Sequence, residues 1–322
     1  MQARARFSGQ LFAMPKIVAF SSSLLLAAIA LPGAAPLAAE TAADHLSIEL
    51  VSEAKTLVPG TTAWLGLRIR HEQNWHTYWI NPGDSGLPTR VAWTLPPGFS
   101  AGEIAWPAPK RFAVDTLANF GYDGDLLLPV SLAVPADATP GTTAHIAAQA
   151  KWLVCHEECV PGKAALALDL PIAVPAEPTA HADKFVAARQ AQPENGVWKA
   201  DARIVGDQIE VRVRGADLGD GKGLDAFAEQ AKIVANAKPT VSLRGGVPVL
   251  LFAKSDYFTA APASFDLVLS RPHVRAIRVH ATFASPDRVS SSSDSPERDA
   301  SDRDAHRFRS DNVSSNPTSA SP

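Results

Sequence analysis

The 322-residue chain is poor in several residue types, and each scarcity excludes something. It has two cysteines, Cys155 and Cys159. Two cannot staple a disulfide-dense scaffold or close a four-cysteine zinc site. It has two methionines, Met1 and Met14, both in the first 14 residues. Charge of one sign is missing as well. Lys and Arg number 30 against 33 Asp and Glu, a formal net charge of -3, which argues against a basic face for nucleic acid. No apolar run approaches the roughly 20 residues of a membrane-spanning helix. The longest, Ile17 to Leu31, is interrupted by Ser21-Ser22-Ser23 and followed by Pro32.

That run follows Arg4, Arg6 and Lys16 and leads into Ala34-Ala35-Pro36-Leu37-Ala38-Ala39. A basic start, a short apolar stretch and a small-residue exit are expected of a cleaved secretory signal over residues 1–39. The compartment beyond it is oxidising, so a close cysteine pair can form a disulfide there.

What is abundant is proline, 26 residues, with glycine turns between short alternating runs. Thr62 to Arg70 and Ala165 to Leu170 alternate with period two. Asp125 to Val134 and His145 to Val154 read as further strands, Pro129 marking an edge or a bulge. Pro59-Gly60, Asn81-Pro82-Gly83-Asp84, Pro96-Pro97-Gly98, Tyr122-Asp123-Gly124 and Pro140-Gly141 supply turns. The pattern predicts an all-β fold, with a sandwich over residues 45–175. Pro171 to Pro178 is expected to run extended as a semi-rigid spacer. A short helix is expected over Asp183 to Gln192. A second β-rich domain is expected over 180–283, with Gly206-Asp207 as a hairpin turn. Residues 284–322 hold 12 serines, 6 aspartates and 5 arginines and are expected to be a disordered tail. The abrupt change of texture there suggests a shifted or truncated reading frame.

The chemistry concentrates in Trp152-Leu153-Val154-Cys155-His156-Glu157-Glu158-Cys159-Val160-Pro161. Four residues of straight strand span roughly 13 Å, so a bond between the two sulfurs requires a loop or hairpin tip. A bridge that closes so few residues stabilises little through loop entropy, which suits exchange better than stapling. Glu157 and Glu158 beside the sulfurs should disfavour thiolates, with His156 as a compensating neighbour. The residues alone leave four readings. These are a redox pair, a structural disulfide in a non-catalytic binding module, a copper-handling site using Cys155, His156 and Cys159, and two unrelated thiols. The first is favoured. Trp64, Trp93, Trp106 and Trp152 are expected in the core or at its rim. The Asn81 to Gly86 segment is expected as a turn-rich loop, and His71 and His76 as surface residues.

The run Trp75-His76-Thr77-Tyr78-Trp79-Ile80-Asn81-Pro82-Gly83-Asp84-Ser85-Gly86-Leu87-Pro88-Thr89 resembles the N-terminal region of DsbD-like protein-disulfide reductases, including ScsB-type members. So do Trp93 to Gly98, Ala101 to Pro107, Phe120 to Gly124 and the cysteine segment. The resemblance implies an exported immunoglobulin-like β-sandwich. Its Cys155 and Cys159 would be the exchanging pair, needing no cofactor. Electrons would come from a DsbD-type membrane donor and pass to thioredoxin-like periplasmic partners. Phe112 stands about where the family has an aromatic cap. Against that family pattern, the sequence is expected to lack the membrane domain and the terminal thioredoxin-like domain.

Overall fold

The computed structural model describes residues 40–283, so the expected signal peptide and Ser-rich tail lie outside the described residues. The described residues are almost entirely β. The first body contains β1 (Thr41–Ala43), β2 (Leu46–Ser52), β3 (Thr62–His71), β4 (His76–Gly83), β5 (Arg90–Thr94) and β6 (Ser100–Ile104). It continues with β7 (Lys110–Val114), β8 (Leu117–Tyr122), β9 (Asp125–Ala133), β10 (Thr143–Cys155) and β11 (Cys159–Pro171). Then come the helix α1 (Ala182–Ala191) and β12 (Glu194–Val205), β13 (Gln208–Arg214), β14 (Asp225–Ala228), β15 (Thr240–Arg244), β16 (Val247–Ala253), β17 (Ser264–Arg271) and β18 (Val274–Phe283).

Two sheets face each other in the first body, ordered β1-β2-β3-β9-β6 and β11-β10-β4-β8-β7, with β5 alongside β10. The period-two pattern decides which side chains meet. Ile48, Leu50, Leu67, Ile69 and Leu128 from one sheet pack against Ile146, Ala148, Trp152, Val154 and Leu166 from the other. This is an immunoglobulin-like sandwich. Trp152 is buried in it, and Trp64, Trp93 and Trp106 are half-buried at its margins, as expected.

Pro129 is not on an edge. β9 lies between β3 and β6, and the register with β6 shifts between Ala101 and Ile104, opposite Leu132 to Val130 and next to the proline. Proline has no N–H for the ladder, so the partner strand deforms there instead.

The segment after β11 is not a free spacer either. Leu57 donates its backbone N–H to the Pro171 carbonyl, Ala173 donates to Leu57, Lys55 to Glu177 and Thr179 to Glu53. Thr56 Oγ1 also donates to the Pro175 carbonyl. The polar backbone of the linker is satisfied along residues 53–57 instead of by water. α1 then lays Phe185 and Ala188 on Val51 and Leu127, on the outer face of the first sheet. Arg189 and Glu53 pair across this contact.

The last seven strands form one sheet, ordered β14-β17-β18-β12-β13-β16-β15, with its own core of Ile209, Val211, Leu250, Phe252, Leu267 and Val279. The hairpin at Gly206-Asp207 is present between β12 and β13. β14, a short strand without a strong alternating pattern, is one of the elements that join this sheet to the sandwich, with Val268 and Ala276 of β17 and β18 in the same core. Its Phe227 packs edge-on against Trp79 and Phe120. Arg111 on β7 forks onto Asp225 with two hydrogen bonds at 3.0 and 2.7 Å, and lies over the Phe120 and Phe227 rings. It also donates to the Ala226 and Asn236 carbonyls. Asn81 is buried and donates to the Ala228 carbonyl, so this residue of the expected loop is an anchor between sheets.

Candidate functional site

The site lies on the outer face of β4, β8 and β7, opposite the face that Phe227 covers. Strand alternation separates the two roles. Trp79, Phe120 and Arg111 point to the C-terminal sheet, while His76, Tyr78, Asn119 and Phe112 share the other side.

β10 and β11 are one long hairpin whose last pair before the tip is Cys155 opposite Cys159. Residues 156–158 turn between them, closed by a hydrogen bond from the His156 N–H to the Glu158 carbonyl. The two Cα atoms are 4.2 Å apart and the sulfurs are bonded. That distance is near the roughly 4.5 Å of a non-hydrogen-bonded cross-strand pair, so strand pairing itself brings the cysteines together. The hairpin tip that the spacing demanded is present.

The two sulfurs have unequal surroundings. Cys155 is 2% exposed, whereas Cys159 is exposed. The Tyr78 hydroxyl lies 3.6 Å from Cys159 Sγ. A disulfide sulfur carries no proton, so here the phenol donates. Burial pushes the Tyr78 pKa up, opposed by a hydrogen bond with Ser85, and the phenol stays protonated. Its ring rests on Gly86, where an added Cβ would fall 2.2 Å from the ring. Ser85 is held in turn by Asn119 Oδ1, which accepts from its backbone N–H and its hydroxyl. The Asn81 to Gly86 segment thus supports the site from below.

His76 is the register partner of Cys155 across the β10–β4 ladder. Directly opposed side chains share a face, with Cβ atoms roughly 4.5–5.5 Å apart. The imidazole stacks on Phe112 with centroids 4.4 Å apart and planes 8° from parallel. It meets Tyr78 edge-on at 5.2 Å. Only 3% of His76 is exposed, which corrects its assignment as a surface residue. It begins β4 between β10 and β8, and Phe112 reaches over it. Gly121 on β8, opposite Tyr78, presents no side chain on this face. Burial lowers the His76 pKa to about 4, with His71 and His156 acting in the same direction.

His71 is half-buried instead of fully exposed. Its Nδ1 donates to the Gly124 carbonyl, so Nε2 accepts from the Thr77 hydroxyl. Burial lowers its pKa, and the Gly124 hydrogen bond opposes that.

His156, Glu157 and Glu158 are exposed at the tip and make no ion pair among the described residues. Trp75 packs between the tip and the sandwich, stacked on His45 at 3.6 Å and 5.9 Å from the His156 ring. Trp75 and Tyr78 were not singled out from the sequence as site residues. Their signal was their position in the aromatic run around His76. Among the described residues no group of three or more His, Cys, Asp or Glu side chains is arranged to hold a metal ion.

Residues 47–171 match the family described as the N-terminal domain of the thiol:disulfide interchange protein DsbD. The crystal structure of the N-terminal periplasmic domain of ScsB from Proteus mirabilis is similar to the chain at 17% identity and TM-score 0.58. The match covers 76% of this chain and 95% of that one, so the likeness in fold extends past the family segment. A protein of unknown function from Porphyromonas gingivalis W83 matches at 16% identity over 73% of this chain and 99% of that one, with a TM-score of 0.22. No curated protein matches the chain. Residues 47–171 are therefore similar to the DsbD N-terminal domain, and the ScsB structure adds a likeness in fold.

Proposed function

We propose that the chain is a periplasmic thiol–disulfide exchange module, passing two electrons at a time through Cys155 and Cys159 to thioredoxin-like proteins. The supporting observation is the asymmetry of the disulfide, with Cys159 an exposed residue at a hairpin tip and Cys155 a buried one across from His76. A structural staple is poorly placed here. The ladder already holds residues 155 and 159 opposite each other, and the bond closes a very short loop. The family match over the cysteine segment and the likeness to the ScsB periplasmic domain support the same reading.

The burial difference supports one order of steps. Cys159 is the sulfur a partner can reach, so it forms the mixed disulfide. Cys155 resolves that bond from within. Glu157 and Glu158 disfavour thiolate at the tip and keep the reduced pair from reacting with unrelated disulfides. Phe112 screens the buried side. Electrons would be supplied by a DsbD-type membrane donor, as expected for this domain type.

The test is trapping. A Cys155→Ala chain should accumulate a stable mixed disulfide with a periplasmic thioredoxin-like protein through Cys159, while Cys159→Ala should not. The intact pair should have a reduction potential above about -300 mV. A lower potential together with no trapped partner in either variant would overturn the reading in favour of a structural bridge.

A further inference from the structure

Among the described residues six buried side-chain polar atoms lack a partner, and one of them lies across the ladder from the disulfide. His76 Nε2 has no hydrogen-bond partner, although its residue is nearly completely buried. An unsatisfied buried polar group is destabilising, so a histidine here calls for a reason. Its neighbours explain the cost only for the oxidised state. Phe112 stacks on one face of the ring and offers no hydrogen bond to its edge. Cys155, its cross-strand partner, has no proton to give while bonded to Cys159. Reduction changes that, because a Cys155 thiol is a donor directly across the β10–β4 ladder from the histidine.

We propose that His76 Nε2 accepts the Cys155 thiol hydrogen in the reduced protein and takes that proton when Cys155 resolves the mixed disulfide. This rests on the exchange reading above. Burial keeps the ring neutral in the oxidised protein; a thiolate forming across from it in the reduced protein favours the imidazolium and raises that pKa, and acceptance at Nε2 requires the ring proton on Nδ1. The other ionisable groups around it are His71 on β3, Asp123 after β8, His156 at the tip and Tyr78 on its own strand.

The exchange balances as follows. Cys159 thiolate attacks the partner disulfide; a Cys159–partner S–S bond forms and the far partner sulfur leaves as a thiolate. The Cys155 thiol proton then moves to His76 Nε2. The Cys155 thiolate attacks Cys159 Sγ, the Cys155–Cys159 bond forms, and the second partner sulfur leaves with the electron pair. The imidazolium returns the proton to that thiolate or to water. The cysteine pair loses two electrons and the partner disulfide gains them. The histidine supplies locally the thiolate that a buried cysteine would otherwise form poorly.

The experiment uses the full chain, reduced, with oxidised glutathione as the disulfide probe. Acid quenching and mass spectrometry follow the glutathionylated intermediate. In His76→Phe, which keeps the ring stack on Phe112, glutathionylation of Cys159 should proceed within about twofold of the parent. Resolution should slow at least tenfold, so the intermediate accumulates. The dithiol–disulfide equilibrium with glutathione should also move roughly tenfold toward the disulfide, about 30 mV. His76→Gln, which keeps a hydrogen-bonding group without a basic nitrogen, should slow resolution as well, and it stands in if the phenylalanine variant does not fold. Resolution at the parent rate in either folded variant would overturn the proposal. If the parent forms no mixed disulfide at all, the exchange reading fails, and the proposal falls with it.

Discussion

Replacing His76 by phenylalanine should flatten the acid dependence of stability, and the size of the change can be worked out. In the folded chain the imidazole pKa is lowered from 6.5 to about 4, chiefly by burial. The unfolded chain therefore binds this proton more readily than the native one. Stability from the neutral ring is complete above about pH 6.5 and is lost as the pH falls through 6.5 toward 4. Between pH 7.5 and pH 5.0 the loss is about 2 kcal/mol for this one group. Urea unfolding of the oxidised chain, followed by tryptophan fluorescence at both pH values, measures it. With a slope of roughly 2–3 kcal/mol/M, the parent midpoint should fall by about 0.7–1 M more than that of His76→Phe. His71, whose pKa is also lowered, is present in both proteins, so the difference belongs to His76. Equal midpoint shifts in parent and variant would refute the burial argument.

Two further substitutions probe how the sheets hold the site. Arg111→Ala strips the half-buried Asp225 carboxylate of its fork and should cost about 3 kcal/mol at the contact between sandwich and C-terminal sheet. Amide exchange should then accelerate in Lys110–Val114 and Asp225–Ala228; unchanged protection in both would show that this contact does not depend on the arginine. Gly121→Ala places a Cβ 1.9 Å from the Thr77 carbonyl oxygen, which must displace β4 against β8. The expected result is a loss of more than 2 kcal/mol in unfolding free energy, while a near-neutral value would mean that the strands separate there at little cost.

Much of the scaffold could be read directly from residue order. Alternation in Thr62–Arg70 and in the β10 and β11 segments is a local property, and any sheet with one buried face enforces it. The four-residue cysteine spacing was also enough to require a hairpin tip. The places where expectation and structure part are all matters of what lies across a strand. Pro129 was legible as an edge or a bulge because its missing N–H is a local fact; that it sits in a central strand beside a bulge was not. Its partner's accommodating register shift belongs to β6, far away in sequence. The proline-rich segment after β11 looked like a spacer because its carbonyl and N–H partners at residues 53–57 lie more than a hundred residues earlier.

The same division runs through the site. Two cysteines, their spacing, their acidic neighbours and the surrounding aromatic run are properties of the sequence, and they located the chemistry within five residues. Which cysteine is exposed, and that His76 is buried across the ladder from Cys155, were decided only when β4 entered the sheet next to β10 and Phe112 folded over from β7. A histidine has no intrinsic preference strong enough to announce its own burial. Its environment is made by strands separated from it by up to about 80 residues, and that environment sets both its pKa and the hydrogen-bond partner it lacks.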